Sequence, residues 1–326
     1  MHSPATDQPR SSLRLALPAL LSLVLVAVAV GWFADRWAAV AATGERPAVA
    51  WPWLALAAVL LVAHAFTALA IWHRAMRAIG AVFPWRTSLD LFAPSLLARY
   101  VPGKIWANAL RLALSRRAGV RLGATTGAIV WETIIGLGTA GVVALAALSG
   151  GPDSRPRNAA ALLLAITATI WIVARLAVRH PRGAALLARF GSAELLRAPS
   201  ALARAVPYAL VGWFAYGLAH LAIARAVAPV TGADLPLVMG AVALAWAGGY
   251  LAFVMPVGLG VRDGLLLVLL APLLEPAAAL LFVALGRLVQ LAVDAALTGV
   301  WLISAAARRR YSSAPSPPAK PTAPSA

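Results

Sequence analysis

Apolar residues in this chain run in long unbroken stretches. They show neither the alternation of a half-exposed strand nor the one-sided stripe of a surface helix. About 20 such residues span a bilayer as a helix. By that measure spanning helices are expected at 15–34, 51–72, 124–148, 158–178, 205–228 and 277–304. Two further stretches, 87–118 and 236–274, are apolar but interrupted, and each reads as a helical hairpin that enters the membrane and returns. The expected fold is therefore an all-α polytopic membrane protein, with about six spanning helices plus two re-entrant helical hairpins in inverted repeats.

The interruptions carry the chemistry. The first reads Ala98-Arg99-Tyr100-Val101-Pro102-Gly103-Lys104, and the second runs from Phe253 through Pro256, Gly258, Gly260, Arg262 and Asp263 to Gly264. Pro102 removes a backbone donor and Gly103 permits a reversal, so a new helix can start near Lys104 with free amides and its positive dipole end at the break. Such an end attracts anions, and Lys104 adds a mobile cation suited to phosphate. In the second break Asp263 is placed to cap a helix from Gly264, with Arg262 beside it. The alternative for 87–118 is an amphipathic helix pair lying on the cytoplasmic membrane surface with its basic residues solvated. The stretch 236–274 is too apolar for that.

Three spans separate the hairpins, which therefore enter from opposite faces. The order span, span, hairpin, span then occurs twice, over about 15–149 and 158–305. His64 lies 38 residues before Pro102 and His220 36 before Pro256, while Glu132 lies 30 after Pro102 and Arg287 31 after Pro256. Glu132, Arg287 and Asp294 fall inside spans, where a charge costs roughly 2.5–3.5 kcal/mol on insertion scales. Arg287, Gln290 and Asp294 share one helical face, and Arg287 is expected to pair with Glu132 across the pseudo-twofold axis, as a substrate contact or as a plain lock. His64 and His220 occupy equivalent mid-span places, suited to proton coupling or to bonding a neighbouring helix.

The chain is 62% apolar and 12% charged, with a net charge of +17. A nucleic-acid role fails on where the charges sit. With the N-terminus inside, the inner segments hold Arg10, Arg14, Arg74, Arg77, Arg86, Arg99, Lys104, Arg111 and Arg116 to Arg121, then Arg179 to Arg204, then Arg308 to Lys320. Outer segments hold few basic residues, such as Arg36, Arg46, Arg155, Arg157 and Arg262. That bias places both termini in the cytoplasm of a plasma-membrane protein, and it sets a basic surface against anionic lipid. Residues 1–14 read as a cytoplasmic tail and 306–326 as a basic, Pro/Ser/Ala-rich disordered tail. The first apolar run exceeds a signal-peptide core and is expected to be retained. No cysteine occurs, which excludes disulfides and thiolate chemistry.

Several patterns reduce to packing. Gly136, Gly138 and Gly141 match GxGxxG but lie inside a membrane helix without a preceding strand. With Ala140 and Ala144 they form a close-packing face. Tryptophans such as Trp32, Trp51, Trp53 and Trp301 fall near span ends as interfacial anchors. No HExxH and no Ser/His/Asp set occurs, so no catalytic residue, metal or cofactor is expected.

The string Ala98 to Lys104 followed by Ile105-Trp106, with Pro256 through Gly264 and the apolar helix bearing Arg287, resembles the membrane (flippase-like) domain of the lysylphosphatidylglycerol synthase family, here as a stand-alone member. The resemblance covers about 15–305. Two departures stand out. The soluble aminoacyl-transferase domain of the bifunctional members is missing, which implies no lipid aminoacylation by this chain alone. Glu132-Thr133 stands where relatives place an acidic–basic pair. The resemblance implies lipid handling. The functional expectation is a carrier that binds and translocates an anionic phospholipid or lipid-linked precursor. The lipid headgroup would meet Arg99, Pro102, Gly103, Lys104, Gly258, Gly260, Arg262, Asp263 and Arg287, with Glu132, Gln290, Asp294, His64 and His220 as an intramembrane polar network. The runner-up is a non-transporting partner that presents a lipid-linked substrate to a separate glycosyl- or aminoacyl-transferase. A membrane-embedded enzyme is the third class.

Overall fold

A computed structural model describes residues 48–101, 105–150, 154–189, 199–252 and 260–312, with isolated positions between 31 and 42. Most of the described residues are helical, and none lies in a strand. In chain order the helices are α1 (Trp51–Ala78), α2 (Trp85–Ala98), α3 (Trp106–Arg117), α4 (Leu122–Leu148), α5 (Ser154–Ala177), α6 (Pro181–Arg189), α7 (Pro199–Val227), α8 (Leu235–Leu251), α9 (Val261–Leu270) and α10 (Pro276–Ser312). The 3-10 turn Gly232–Asp234 leads into α8.

Among the described residues, six helices are long and apolar enough to cross a membrane: Trp51–Ala78, Leu122–Leu148, Ser154–Ala177, Ala203–Val227, Gly232–Leu251 and Pro276–Arg308. The number matches the expectation, but its membership differs. The span expected at 15–34 lies almost wholly outside the described residues, and Gly232–Leu251, expected as a hairpin arm, has the length and hydropathy of a span. By contrast α2, α3 and α9 hold 14, 12 and 10 residues. At 1.5 Å per residue each falls well short of the ~30 Å hydrocarbon core. The short helices α2 and α3 pack on each other, and the short α9 packs on the longer α8.

Small residues bring the helices together. Ala57, Ala140, Ala144, Ala160, Ala219, Ala222, Ala224, Ala241, Ala243 and Ala245 are buried in one core formed mainly by α1, α4, α7, α8 and α10. In lipid, where apolar side chains gain little by leaving the solvent, such close backbone approach is what holds helices together. A Cβ on Gly136 would sit 3.1 Å from Trp246 of α8, and one on Gly141 3.3 Å from the backbone of Leu164 on α5. The glycines of the discarded nucleotide motif therefore do pack helices. The most extensive helix pair is α1 with α7, antiparallel in the order Ala50 to Ala226, His64 to Gly212 and Arg74 to Tyr208.

Contacts between helices recur in matched sets. Helix α4 packs on α8 as α10 packs on α2, α4 on α3 as α10 on α9, and α1 on α4 as α7 on α10. Tryptophans divide by depth. Trp51 is exposed, Trp53 lies under Arg225, and Trp301 donates to Asp90 at 2.7 Å, as expected near span ends. Trp72, Trp131 and Trp213 are instead buried core residues.

Candidate functional site

Pro94 lies inside α2, which ends at Ala98 with Arg99 as its C-cap, short of the break at Pro102. Arg99 pairs with Asp294 Oδ1 of α10, and the Tyr100 hydroxyl donates to Oδ2 at 2.7 Å. Gln290, one turn earlier on α10, donates to Oδ1 at 3.3 Å. Asp294 is fully buried, with 0% exposure. A carboxylate so placed in a membrane protein is tolerated because donors satisfy its lone pairs and a cation neutralises it.

The second break meets the same helix. Arg287 precedes Asp294 by two turns, about 10 Å along one face. It grips Asp263 of α9 through Nε at 3.0 Å and Nη2 at 2.8 Å to Oδ1, and through Nη2 at 2.9 Å to Oδ2. The start of α9 explains why Asp263 points there. The helix begins at Val261 rather than at the expected Gly264, because Gly260 is its N-cap at φ +83°. Asp263 then falls in the first turn, where its Oδ2 accepts the Gly260 N–H at 3.1 Å and its charge meets the positive helix end.

Arg262 faces the other way. It is 8% exposed, and its Nη2 donates to His220 Nε2 of α7 at 3.3 Å while its guanidinium lies 5.9 Å from the Tyr216 ring. Guanidinium only donates, so His220 accepts at Nε2 and carries its proton on Nδ1, which donates to the Tyr216 carbonyl at 2.9 Å. Among the described residues no carboxylate pairs with Arg262. Tyr216 lies between His220 (4.3 Å) and His64 (4.7 Å), and His64 Nδ1 donates to the Gly212 carbonyl at 3.0 Å. His64 thus bonds a neighbouring helix and packs against the Tyr216 ring that also meets His220. The end of α2, the start of α9 and the midpoints of α1, α7 and α10 converge on one junction.

The expected Glu132–Arg287 pair does not form. Glu132 of α4 binds Arg111 of α3 at 2.5 Å, and Arg287 binds Asp263. Each charge finds its partner on the short helix packed directly against its own span, α3 on α4 and α9 on α10. Arg111 is also held by a bond to Ser95 Oγ at 2.9 Å and lies over Phe92 (4.4 Å) and Trp72 (4.9 Å). Thr133 bonds the Tyr250 hydroxyl at 2.8 Å, which ties α4 to α8.

Of the headgroup set, Arg99, Gly260, Arg262, Asp263 and Arg287 meet at the junction together with Asp294, Gln290, His64 and His220. Glu132 stands apart with Arg111. Pro102, Gly103, Lys104 and Gly258 lie outside the described residues. Sequence reasoning missed Tyr100 and Tyr216, and it treated Arg111 as one more inner-face cation. The signal for Arg111 was present: it stands between Leu110 and Leu112, nine residues after Pro102, as Asp263 stands seven after Pro256.

No curated protein matches the sequence. The model for the lysylphosphatidylglycerol synthase TM region matches residues 19–297, which takes in both breaks and every residue of the junction. By that match, and with six helices among the described residues long and apolar enough to cross a membrane, the protein belongs to the lysylphosphatidylglycerol synthase transmembrane-region family.

Proposed function

We propose that the protein is a flippase-like carrier that binds an anionic phospholipid or lipid-linked precursor by its phosphate at this junction and moves it between leaflets. One observation carries the reading. Arg99 and Arg287 are neutralised by Asp294 and Asp263, whereas Arg262 is buried and has no carboxylate among the described residues. A buried guanidinium without a counter-charge is costly, and a phosphate would supply both the charge and the acceptors. In this reading α2–α3 and α8–α9 are re-entrant hairpins entering from opposite faces of the plasma membrane, with both termini cytoplasmic. The bound lipid shifts the balance between two accessible states. The role assigned is binding and movement, with no catalytic residue and no cofactor.

The test is lipid movement in liposomes holding the full chain and a tail-labelled fluorescent phosphatidylglycerol, read by bleaching with a membrane-impermeant reductant. Wild-type protein should expose the inner-leaflet label. Arg262→Gln should slow this at least about tenfold, the loss expected for one charge-assisted contact, while eluting and melting like the wild type. Protein that retains lipid through purification yet moves it no faster than empty liposomes would favour the lipid-presenting partner of a separate transferase.

A further inference from the structure

A second feature lies apart from the junction, along the outer side of the α1–α7 pair. A groove of about 860 Å³ runs between these helices, walled by Phe66, Ala70, Pro207 and Val211, with Arg74 and Arg204 among its lining residues. The two helices are antiparallel, so Arg74 near the end of α1 and Arg204 near the start of α7 fall at the same end. Val211 is 60% exposed and Phe66 48%, on helices long and apolar enough to cross a membrane, so these walls meet lipid.

The basic end is prearranged. Arg74 donates to the Tyr208 hydroxyl at 2.5 Å, and its guanidinium lies 4.3 Å from the Tyr208 ring centre, which fixes its place over the groove wall. Tyr208 accepts that bond and keeps its own proton to donate. Arg204 spends Nε and Nη2 on Ser200 of its own helix, at 3.1 and 3.2 Å. Neither arginine pairs with a carboxylate among the described residues. The groove therefore joins an apolar trough to two uncompensated cations and a hydroxyl donor.

We propose that this groove is a phospholipid site, with an acyl chain along Phe66, Ala70, Pro207 and Val211 and an anionic headgroup between Arg74 and Arg204. A soluble anion would leave the trough unused, and a zwitterionic lipid would bring its own cation up beside the two arginines. The charge match selects a lipid whose headgroup carries net negative charge. The site shares no side chain with the ionic junction, so it stands or falls separately from the transport reading.

The test uses the full chain in nanodiscs with phosphatidylglycerol bearing a photoactivatable diazirine in its acyl chain, and the phosphatidylcholine analogue in parallel. Crosslinks are mapped by proteolysis and mass spectrometry. The phosphatidylglycerol probe should label the segments 66–74 and 203–211, and Arg74→Gln/Arg204→Gln should cut that labelling about tenfold with the phosphatidylcholine signal unchanged. Val211→Trp, which fills the trough from its exposed side, should displace the label by an independent route if the double variant does not accumulate. Equal labelling by both probes, label spread evenly over the lipid-facing side of α5, or label confined to the junction would each overturn the assignment.

Discussion

Arg287 and Asp294 share one face of α10, two turns apart, and each secures a different break: Asp294 takes Arg99 and Tyr100 after α2, and Arg287 takes Asp263 of α9. One helix thus holds both the end of α2 and the start of α9. The polar stripe expected on 277–304 is real, and its partners are the breaks rather than a distant span.

Double-mutant cycles separate these pairings. Arg287→Ala should destabilise the detergent-solubilised protein by about 3 kcal/mol, because it leaves Asp263 partly buried and uncompensated. Asp263→Ala should couple to it by more than about 1 kcal/mol. Glu132→Ala and Arg287→Ala should instead be additive. Coupling between those two in thermal unfolding would contradict the observed pairing.

Asp294 is expected to be the least tolerant position of the network. Asp294→Ala leaves the Arg99 guanidinium with the Leu96 carbonyl but no counter-charge, and the Tyr100 hydroxyl without its acceptor, whereas Tyr100→Phe removes one hydrogen bond at a cost of about 1 kcal/mol. Folded yield by size-exclusion chromatography should fall sharply for the first variant and little for the second.

Gly260 tests the start of α9. At φ +83° an L side chain is strained, so Gly260→Ala should cost about 1–3 kcal/mol and turn Asp263 away from Arg287. Gly264 has open space where a Cβ would go, and Gly264→Ala is the matched control. Equal melting temperatures for the two variants would remove the strained cap from the account.

The α1–α7 pair should be equally sensitive. A Cβ on Gly212 would lie 2.4 Å from Thr67 Oγ1, so Gly212→Ala should destabilise by about 1–3 kcal/mol through overpacking. At Gly299 nothing stands within 4 Å, and Gly299→Ala should be neutral or slightly stabilising. Thermal unfolding of both variants in the same detergent measures the contrast.

The opposed-hairpin topology has its own measurement. The chain holds no cysteine, so Ala107→Cys and Leu265→Cys are clean single reporters. A membrane-impermeant thiol reagent should label Ala107→Cys from the cytoplasmic side and Leu265→Cys from the other. Access to both from one side would refute the inverted arrangement.

Most of the helical framework was legible because it rests on hydropathy and on Pro and Gly, which act locally. The spans at 124–148, 158–178 and 205–228 overlap α4, α5 and α7 along almost their whole lengths, with ends that differ by six residues at most. The start of α9 was misplaced because a positive φ at Gly260 is a backbone choice that the letters Gly-Val-Arg-Asp-Gly allow without demanding. The partner of Glu132 was misassigned for a different reason. Matching offsets identify equivalent residues, but equivalence does not imply contact, and Arg111 was counted among surface cations because its buried neighbours Ser95, Phe92 and Trp72 come from other helices.

The two span-to-arm ion pairs have opposite polarity, Arg111 on the arm with Glu132 on the span, and Asp263 on the arm with Arg287 on the span. Two look-alike halves face a matching problem during assembly, since either short arm could dock against either long helix. Crossed docking would set Arg111 against Arg287 and Asp263 against Glu132, both like-charged, in surroundings where such contacts are heavily penalised. The reversed polarity therefore disfavours crossed docking and favours each arm on the long helix it is seen to pair with.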